Sequence, residues 1–361
     1  MPDQVRRRAE DLKDFCARAV QKVGVSEQDA RITAEVLVAA DLRGVASHGV
    51  AHLRRYVECL QTGVVVPRPK ERMLRETAVT AAMDAGAGLG PPAAYRAMQK
   101  AIDKALNCGA GFVTVRNSNH NGIAGYYAMM ALERDCIGFA MTNAGPKAVP
   151  TFGKDAVLGT NPIAVAAPAG HERPFVLDMA TTTVSLGKAE IAAQLDKPIP
   201  EGWAIDKDGQ PMLDAHRALR DFKAKLGGGM LPLGGEGELL GGYKGYGLAL
   251  WVEVFSAILS GAAFATFTYP KTPEGKPLPS GVGHFFGAWR IDAFRPPDEF
   301  KTAMDGLQQL IKRSPKAPGH DRIYVAGEKE YEAMERNMRE GIPLNASVAA
   351  DLDALAKELG L

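Results

Sequence analysis

The sequence predicts an α/β fold whose two chain ends are helical. From residue 79 onward, short runs rich in β-forming residues alternate with stretches of helical spacing, which is typical of a sheet covered by helices. Both chain ends have helix-forming composition. We therefore expect a helical N-terminal lobe over residues 1–75, an α/β core over residues 76–300, and C-terminal helices over residues 301–361 that pack with the first lobe.

The first 60 residues are expected to be helical. Ser26 is followed three residues later by Asp29, as at the start of a capped helix, and apolar residues recur with helical spacing through Val36 and Val38. The basic run Arg6-Arg7-Arg8 fits the solvated face of a first helix.

The first half of the core contains three predicted strands and two predicted helices. The strands cover residues 79–83, 112–115 and 137–141, and the helices cover residues 91–106 and 123–132. Each strand is followed by a helix or a turn, which favours an open sheet.

The second half of the core continues with strand-like runs at residues 163–167 and 175–177 and a helix over residues 186–193. A glycine-rich stretch, residues 227–247, leads into an apolar helix over residues 248–259, and residues 270–279 form a proline-rich loop.

Composition and charge exclude several function classes. The 361 residues include 43 basic and 42 acidic side chains, for a net charge of +1. This balance does not favour nucleic-acid binding, whose affinity comes from a strong basic bias. No apolar run approaches the roughly 18 residues that span a bilayer, so we expect no membrane segment.

The four cysteines are Cys16, Cys59, Cys108 and Cys136. They are widely spaced and contain no CxxC pair, in a chain long enough to need no disulfide framework. We expect reduced thiols and a cytoplasmic location.

One glycine-rich turn, from Asp84 to Pro91, lies between a predicted strand and a predicted helix, where a dinucleotide site would be expected. The GxGxxG fingerprint requires its third glycine where this chain has Pro91, and no acidic residue follows at the usual distance. A tight turn is the better interpretation.

His120 is the strongest candidate for chemistry. It follows the strand over residues 112–115 in the polar segment Asn117-Ser118-Asn119-His120, and ligands collect at the carboxyl ends of strands in open α/β sheets. A neutral imidazole can accept a hydroxyl proton or return it. His48, in Ser47-His48-Gly49, is equally consistent with a turn histidine.

Other chemistries have weaker support. His48 and His52 have the i, i+4 spacing of metal ligands, but no HExxH motif or cysteine cluster accompanies them, and we expect no metal. Ser47 and His48 could form a nucleophilic pair, but the chain has no GxSxG elbow. Lys244, among glycines and tyrosines, is either an anion contact or a solvated loop lysine.

Together these segments resemble the malate/L-lactate dehydrogenase family, which is unrelated to the usual Rossmann dehydrogenases. The resemblance covers nearly the whole chain, and the malate/sulfolactate branch is the most similar. The matching segments, in shared order, are Ala40 to Val45, Ser47-His48-Gly49, Tyr56, Asn117 to His120, Gly125-Tyr126-Tyr127, Gly159-Thr160-Asn161-Pro162, Leu177 to Thr181, Pro200 to Ala204, Tyr243 to Leu248 and Gly283 to Phe286.

The resemblance implies a homodimer whose non-Rossmann fold binds NAD or NADP, and a small 2-hydroxy or 2-oxo acid as the substrate. It implies that His120 is the acid/base residue, with Ser47 and His48 beside the substrate and nicotinamide and Thr160 in the substrate region. The cofactor would be held by residues of four segments, namely His120, Asn121, Gly122, Ile123 and Ala124; Asp178, Met179 and Ala180; Lys244; and His320, Asp321 and Arg322.

Two positions depart from the family pattern. Many members carry an arginine four residues after the SHG histidine, where this chain has His52; an imidazole is not equivalent to an arginine as a carboxylate partner. His52 with Arg43 or Arg54 would then bind the substrate. Imine-reducing members tend to carry an aspartate near Lys188, and its absence makes imine reduction the less favoured activity.

The resulting hypothesis is a 2-hydroxy acid dehydrogenase acting on malate, sulfolactate or a lactate-like acid. The alternatives within the family are ureidoglycolate oxidation and cyclic imino acid reduction. Outside it, the alternatives are a catalytically silent binding protein and a metal-dependent lyase that uses His48 and His52.

Overall fold

The structure, a computed structural model, describes residues 4–361. The first half of the chain contains β1 (Gln4–Arg7), α1 (Ala9–Lys22), α2 (Glu27–Leu42), α3 (Leu53–Gln61), β2 (Arg72–Glu76), β3 (Thr80–Asp84), α4 (Gly90–Cys108), β4 (Ala110–Ser118), α5 (Ala124–Met130), β5 (Cys136–Thr142), β6 (Ile163–Ala167) and β7 (Phe175–Met179). The second half contains α6 (Leu186–Gln194), β8 (Ala204–Ile205), α7 (Ala215–Ala224), β9 (Gly229–Met230), α8 (Gly242–Val252), β10 (Val282–Arg290), α9 (Pro297–Arg313), α10 (Glu328–Glu340), β11 (Ile342–Asn345) and α11 (Ala346–Leu359).

A seven-stranded mixed sheet forms the centre of the molecule, with strand order β2-β3-β4-β10-β5-β6-β7. Only β3 and β4 pair in parallel; the other neighbours are antiparallel. The main hydrophobic core packs α4 and α5 against this sheet, with Met98, Tyr127 and Phe286 fully buried. The predicted α/β class is confirmed, together with the strands at β3, β4, β5, β6 and β7.

The central strand of this sheet was not identified from the sequence. β10 pairs with both β4 and β5 and is buried over most of its length. β10 is far from both partners in sequence, so no local pattern predicts its position in the sheet. Its glycines, Gly283 and Gly287, also weaken the strand pattern.

The two ends of the chain pack into one helical lobe. A second core, which includes Cys16, Leu37, Leu53, Ile342 and Leu355, joins α1, α2 and α3 to β11 and α11. β1 pairs antiparallel with β11, with Val5 opposite Leu344.

The expectation of a helix from the start of the chain is wrong for residues 4–7. Arg6 and Arg7 lie on β1 and Arg8 is the N-cap of α1, so the basic run is not a helix face. The strand forms because β11 offers a hydrogen-bonding edge, a partner more than 300 residues away that local propensity cannot reveal.

The start of α2 follows the prediction. The Ser26 hydroxyl accepts a hydrogen bond from the backbone N–H of Asp29 at 3.3 Å, which satisfies one of the free donors of the first turn.

The apolar helix predicted over residues 248–259 begins earlier and changes its winding. α8 starts at Gly242, and a π-helical segment, Glu253–Ile258, continues it. π-helical turns are rare and frequent at functional sites. Within residues 4–361, no helix has the length and apolar character required to cross a membrane.

Candidate active site

His48 and His52, which are close in sequence, meet His120 from a distant part of the chain in one cleft. The ring centroid of His120 lies 4.6 Å from that of His52 and 5.5 Å from that of His48. His48 and His52 are 5.9 Å apart, edge to face. His48 and His52 come from two short 3₁₀ turns between α2 and α3, and His120 from the loop between β4 and α5. We name these three side chains the histidine cluster.

A buried carboxylate positions the turn that carries His48 and His52. Asp41, near the end of α2, accepts a hydrogen bond from the backbone N–H of Val50 at 2.7 Å. Both of its carboxylate oxygens lie 2.1 Å from where a Cβ on Gly49 would stand. Only glycine therefore allows this close approach, which accounts for the glycine in Ser47-His48-Gly49.

His120 is held from two sides. The Asn119 side-chain amide donates to the carbonyls of Ala87 and Gly88 at 3.1 and 2.8 Å, so the glycine-rich turn before α4 serves as the support of His120, in agreement with the tight-turn interpretation. The Tyr56 hydroxyl lies 2.7 Å from His120 Nδ1. The Gly122 backbone nitrogen lies 3.3 Å from the same atom. Both contacts are made at Nδ1, which leaves Nε2 for a ligand.

The surroundings keep the histidine cluster uncharged. The three rings retain some contact with solvent, as the wall of a cleft does, but the protein around them replaces most of their hydration. Burial is the main cause that lowers the pKa of His120, followed by the two neighbouring imidazoles. Burial and then His48 lower the pKa of His52 to about 4, and burial and then Lys147 lower that of His48. At neutral pH the cleft thus presents three neutral imidazoles.

Two cations of this cleft, Lys147 and Arg55, were missed by the sequence analysis. Both lower the pKa of His52 and His120 through their charge. The pKa of Lys147 is itself lowered by burial and by Arg55. The guanidinium carbon of Arg55 lies 5.6 Å from the ring centroid of Tyr269. Nothing in their local sequence distinguishes these residues from surface cations, because only the fold brings them to the cleft.

The arginines considered at the sequence level lie elsewhere. Arg54 forms ion pairs with Asp351 and Glu358 of α11, on the side of α3 that faces the chain-end lobe. The guanidinium of Arg43 is buried and lies 4.8 Å from the ring centroid of Tyr331. It is not among the charges that shift the histidine cluster.

The segment expected to follow the cofactor adjoins the end of β7. The Asp178 carboxylate accepts a hydrogen bond from the Gly125 backbone N–H at 2.7 Å, next to the run Asn121, Gly122, Ile123 and Ala124. Burial raises the pKa of Asp178 to about 6, while the Gly125 hydrogen bond and the charge of Arg43 act in the opposite direction.

The chain after β7 contacts two further segments that contain predicted site residues, one with Thr160 and one with Lys244. The Thr181 backbone N–H donates to the Thr160 carbonyl at 2.9 Å. The Leu233 backbone N–H donates to the Thr181 carbonyl, and Leu233 packs against Gly245, the neighbour of Lys244. Met179 and Ala180 link Asp178 to this set. Ser47 lies against α6, since a Cβ on Gly187 would be 3.2 Å from Ser47 Cβ.

The segment His320 to Arg322 lies shortly before a residue that bonds to β7. The Val176 backbone N–H donates to the Ala326 carbonyl at 3.1 Å, which ties the segment's continuation to the strand that carries Asp178. Arg322 itself pairs with Glu328 at 3.5 Å and with Glu332, both on α10. His320 and Asp321 are exposed.

The residues around Asp178 suit a dinucleotide. Arg43 Nη1 is buried and has no hydrogen-bond partner, so it has an N–H free for an anionic or hydroxyl oxygen. A carboxylate at a strand end can accept the hydroxyls of a ribose. For a metal, no group of three or more His, Cys, Asp or Glu side chains among residues 4–361 has suitable geometry.

Comparisons with known proteins agree with this architecture. The sequence model of the malate/L-lactate dehydrogenase family matches residues 8–353. The chain is 46% identical to malate dehydrogenase of Pyrococcus horikoshii over 97% of this chain and 94% of that protein. It is 39% identical to L-sulfolactate dehydrogenase of Methanocaldococcus jannaschii over 98% and 96%.

A solved structure shows the same fold. The crystal structure of malate dehydrogenase from Entamoeba histolytica superposes with a TM-score of 0.95 at 35% identity and covers 99% of both chains. The fold and the cleft define a dehydrogenase that lacks the Rossmann fingerprint. The chain belongs to the malate/L-lactate dehydrogenase family, and the family, fold and enzyme class expected from the sequence are confirmed.

Proposed function

We propose that this protein transfers a hydride between NAD or NADP and a small 2-hydroxy or 2-oxo acid, with malate, sulfolactate or a lactate-like acid as the substrate. The observation that carries the proposal is the cleft in which His120, kept neutral and held by Tyr56, faces Lys147 and Arg55. In a hydroxy acid, the hydroxyl can give its proton to His120, and the anionic group can pair with Lys147 or Arg55.

The similar proteins support both the substrate class and the coenzyme. Malate and sulfolactate are the substrates that the relatives' names state. The name of one sulfolactate dehydrogenase relative states NADP(+), and the name of the ureidoglycolate dehydrogenase relatives states NAD(+). Both coenzymes are therefore tested.

When bound, the nicotinamide supplies the hydride chemistry, and the protein supplies orientation and one proton. In the oxidation direction, His120 Nε2 takes the proton of the substrate hydroxyl as the hydride leaves the same carbon and the carbonyl forms. In the reduction direction, the imidazolium returns that proton to the carbonyl oxygen.

Tyr56 allows His120 to change its charge. Its hydroxyl lies 2.7 Å from Nδ1 and 3.3 Å from the His120 carbonyl. It can accept from a protonated Nδ1 while it donates to the carbonyl, and this is the tautomer in which Nε2 of the neutral ring is free to accept a proton. The ring thus keeps its orientation in both protonation states.

The remaining site residues are assigned as the sequence suggested. Ser47 and His48 lie beside the substrate and the nicotinamide, and His52 and Thr160 line the substrate region. The cofactor is bound by residues from His120 to Ala124, by Asp178 to Ala180, by Lys244, and by His320 to Arg322, with Arg43 adjoining this set rather than the histidine cluster.

The assembly, the domain organisation and the location are also part of the proposal. A homodimer is supported by an exposed apolar stripe of Leu250, Val254 and Ile258 on α8 and its π-helical continuation, since such stripes mark interaction sites. Of the three proposed regions, with boundaries near residues 75 and 300, the joining of the two end regions is supported by a core that unites both chain ends. A cytoplasmic location is supported by the four free thiols.

The function is tested by following reduced-nicotinamide absorbance with NADH or NADPH and a panel of oxaloacetate, sulfopyruvate, pyruvate, oxoglutarate and a cyclic imino acid. We expect oxidation of a coenzyme with an oxo acid and no effect of a chelator. Turnover only with the imino acid, or with none of the panel, would contradict the proposal.

The role of His120 is tested by His120→Ala. Loss of a general acid/base typically lowers turnover 10²- to 10⁴-fold, so we expect a loss of at least about a hundredfold with nearly unchanged coenzyme affinity. The control is His216→Ala, which removes an exposed imidazole paired with Asp196 and leaves turnover unchanged. Wild-type turnover of the His120 variant would remove this residue from the mechanism.

A further inference from the structure

Arg55 is a cation that the protein holds without neutralising it. Within residues 4–361, no carboxylate lies within 4.0 Å of its guanidinium, and the same is true of the Lys147 ammonium. Arg54, the preceding residue, pairs with two carboxylates. Arg55 instead stacks on the ring of Tyr269, a contact that fixes an arginine and preserves its charge.

The support beneath Arg55 is itself well anchored. The Tyr269 ring packs against Gly145, where a Cβ would be 2.9 Å from Tyr269 Cδ2. The Tyr269 backbone N–H donates to the Ser280 carbonyl at 2.9 Å, and the Ser280 hydroxyl bonds to Asn119, the residue before His120. Arg55 is therefore held in a fixed relation to the reacting end of the cleft, as a substrate-binding group requires.

The cations whose charge lowers the pKa of a histidine in the cluster are Arg55 and Lys147. Arg55 lowers the pKa of His52 and of His120, whereas for His48 the charge that acts is that of Lys147. His52 precedes Arg55 by three residues. It is neutral at pH 7 because burial lowers its pKa to about 4.

We propose that Arg55 is a specificity-determining residue that binds the second anionic group of the substrate, so that with Lys147 it selects doubly charged oxo and hydroxy acids over singly charged ones. The inference rests on the proposed function and narrows its substrate class. Two cations beside one histidine cluster, neither with a carboxylate within 4.0 Å, are best matched by two anionic groups, because each group can then pair with one cation.

The test compares oxaloacetate, which carries two carboxylates, with pyruvate, which carries one. Hydrogen bonds to charged groups contribute roughly 1.5–3 kcal/mol, so we expect Arg55→Gln to raise the KM for oxaloacetate at least about tenfold with a smaller effect on kcat. The parameters for pyruvate and for the coenzyme should change little. The ratio of kcat/KM for the two acids would then fall at least about tenfold.

Three further variants sharpen the test. Arg54→Gln removes the same charge from the same helix and should leave the ratio unchanged. Arg55→Lys retains a cation and should recover part of the oxaloacetate KM. His52→Arg combined with Arg55→Gln returns a permanent charge to the cluster and should also recover part of it.

Calorimetric titration with malate measures the same contact without turnover. We expect the Kd to rise at least about tenfold in Arg55→Gln relative to the wild type, and not in Arg54→Gln. An unchanged Kd, or equal losses for oxaloacetate and pyruvate, would overturn the inference. A wild-type protein that binds malate but oxidises no coenzyme would instead contradict the proposed function alone.

Discussion

At the scale of single residues, the chemistry of the cleft depends on keeping an imidazole uncharged. His120 has a depressed pKa because it is poorly hydrated and because other imidazoles, Arg55 and Lys147 surround it. A neutral ring is the form that accepts a hydroxyl proton. The negative charge of a bound substrate offsets the positive charges of Arg55 and Lys147. Substrate binding therefore raises the pKa of His120, which favours protonation of the ring as the hydride leaves.

This arrangement predicts a specific pH dependence. In the free enzyme, hydroxy acid oxidation requires neutral His120, whose pKa lies well below 6.5. The kcat/KM for malate oxidation should therefore be flat from pH 6.5 to about 7.5 and decline only at more acidic pH, because kcat/KM reports the ionisation of the free enzyme. Steady-state rates over this range check the sign, and a midpoint at or above pH 6.5 would contradict it.

At the scale of elements, a short turn places two of the three histidines. The close approach of Gly49 to Asp41 joins this turn to α2. The Asn337 side-chain amide donates to the carbonyls of Asp41 and Leu42 at 3.2 and 3.0 Å, so α10 supports the same point. The turn is thus fixed by a helix from each end of the chain.

Gly49→Ala tests this attachment. The added Cβ would stand 2.1 Å from the Asp41 carboxylate oxygens, and overpacking of this kind costs about 1–3 kcal/mol of stability. We expect a lower Tm and, because the turn moves, a loss of kcat/KM. Gly306→Ala in α9 is the matched control: nothing lies within 4 Å of its Cβ, and it should stabilise by about 0.5–1 kcal/mol. Equal Tm changes in the two variants would disprove the argument.

At the level of the whole molecule, one surface exposes large apolar side chains. Leu250, Val254 and Ile258 recur every four residues along α8 and its π-helical continuation, with 40%, 51% and 55% of their surface exposed. Phe264 and Phe267 extend the apolar area nearby. An apolar stripe of this length is typical of a subunit interface.

Ile258→Glu should therefore weaken self-association. A carboxylate in an apolar interface must be desolvated without a partner, so we expect a shift from dimer to monomer in sedimentation velocity at micromolar concentration. Val79→Glu is a control on a distant exposed apolar residue, 38% exposed beside β3, and should leave the dimer intact. A wild-type protein that sediments as a monomer would disprove the assignment of this surface.

Several elements of the fold and the family can be predicted from local sequence patterns. Local periodicity located β6 and the bounds of α4 and α6 within one or two residues, because these elements carry their own hydrophobic pattern. The ordered motifs identified the family, which the comparisons confirm, and through it they predict His120, Ser47 and His48 as site residues. The failed GxGxxG match also agrees with the structure, in which that turn supports Asn119.

Local sequence does not distinguish a site histidine from a core histidine. His284 is surrounded by glycine and aromatic residues, much as a site residue would be, yet it lies on β10 and is fully buried. Its ring bonds to the hydroxyls of Thr142 and Ser118 at 2.7 and 2.8 Å. It is a core residue, and only its neighbours across the sheet distinguish it from His120.

The charges that lie near the histidine cluster depend on the tertiary structure. Arg54 and Arg55 are adjacent and chemically identical, but they project from different faces of α3. Arg54 pairs with the carboxylates of α11, whereas Arg55 packs against the ring of Tyr269. The same holds for the pairing of β1 with β11 and for the central position of β10. Motifs are local, whereas counter-ions, strand partners and burial come from segments hundreds of residues away, and these set the charge and pKa on which the chemistry depends.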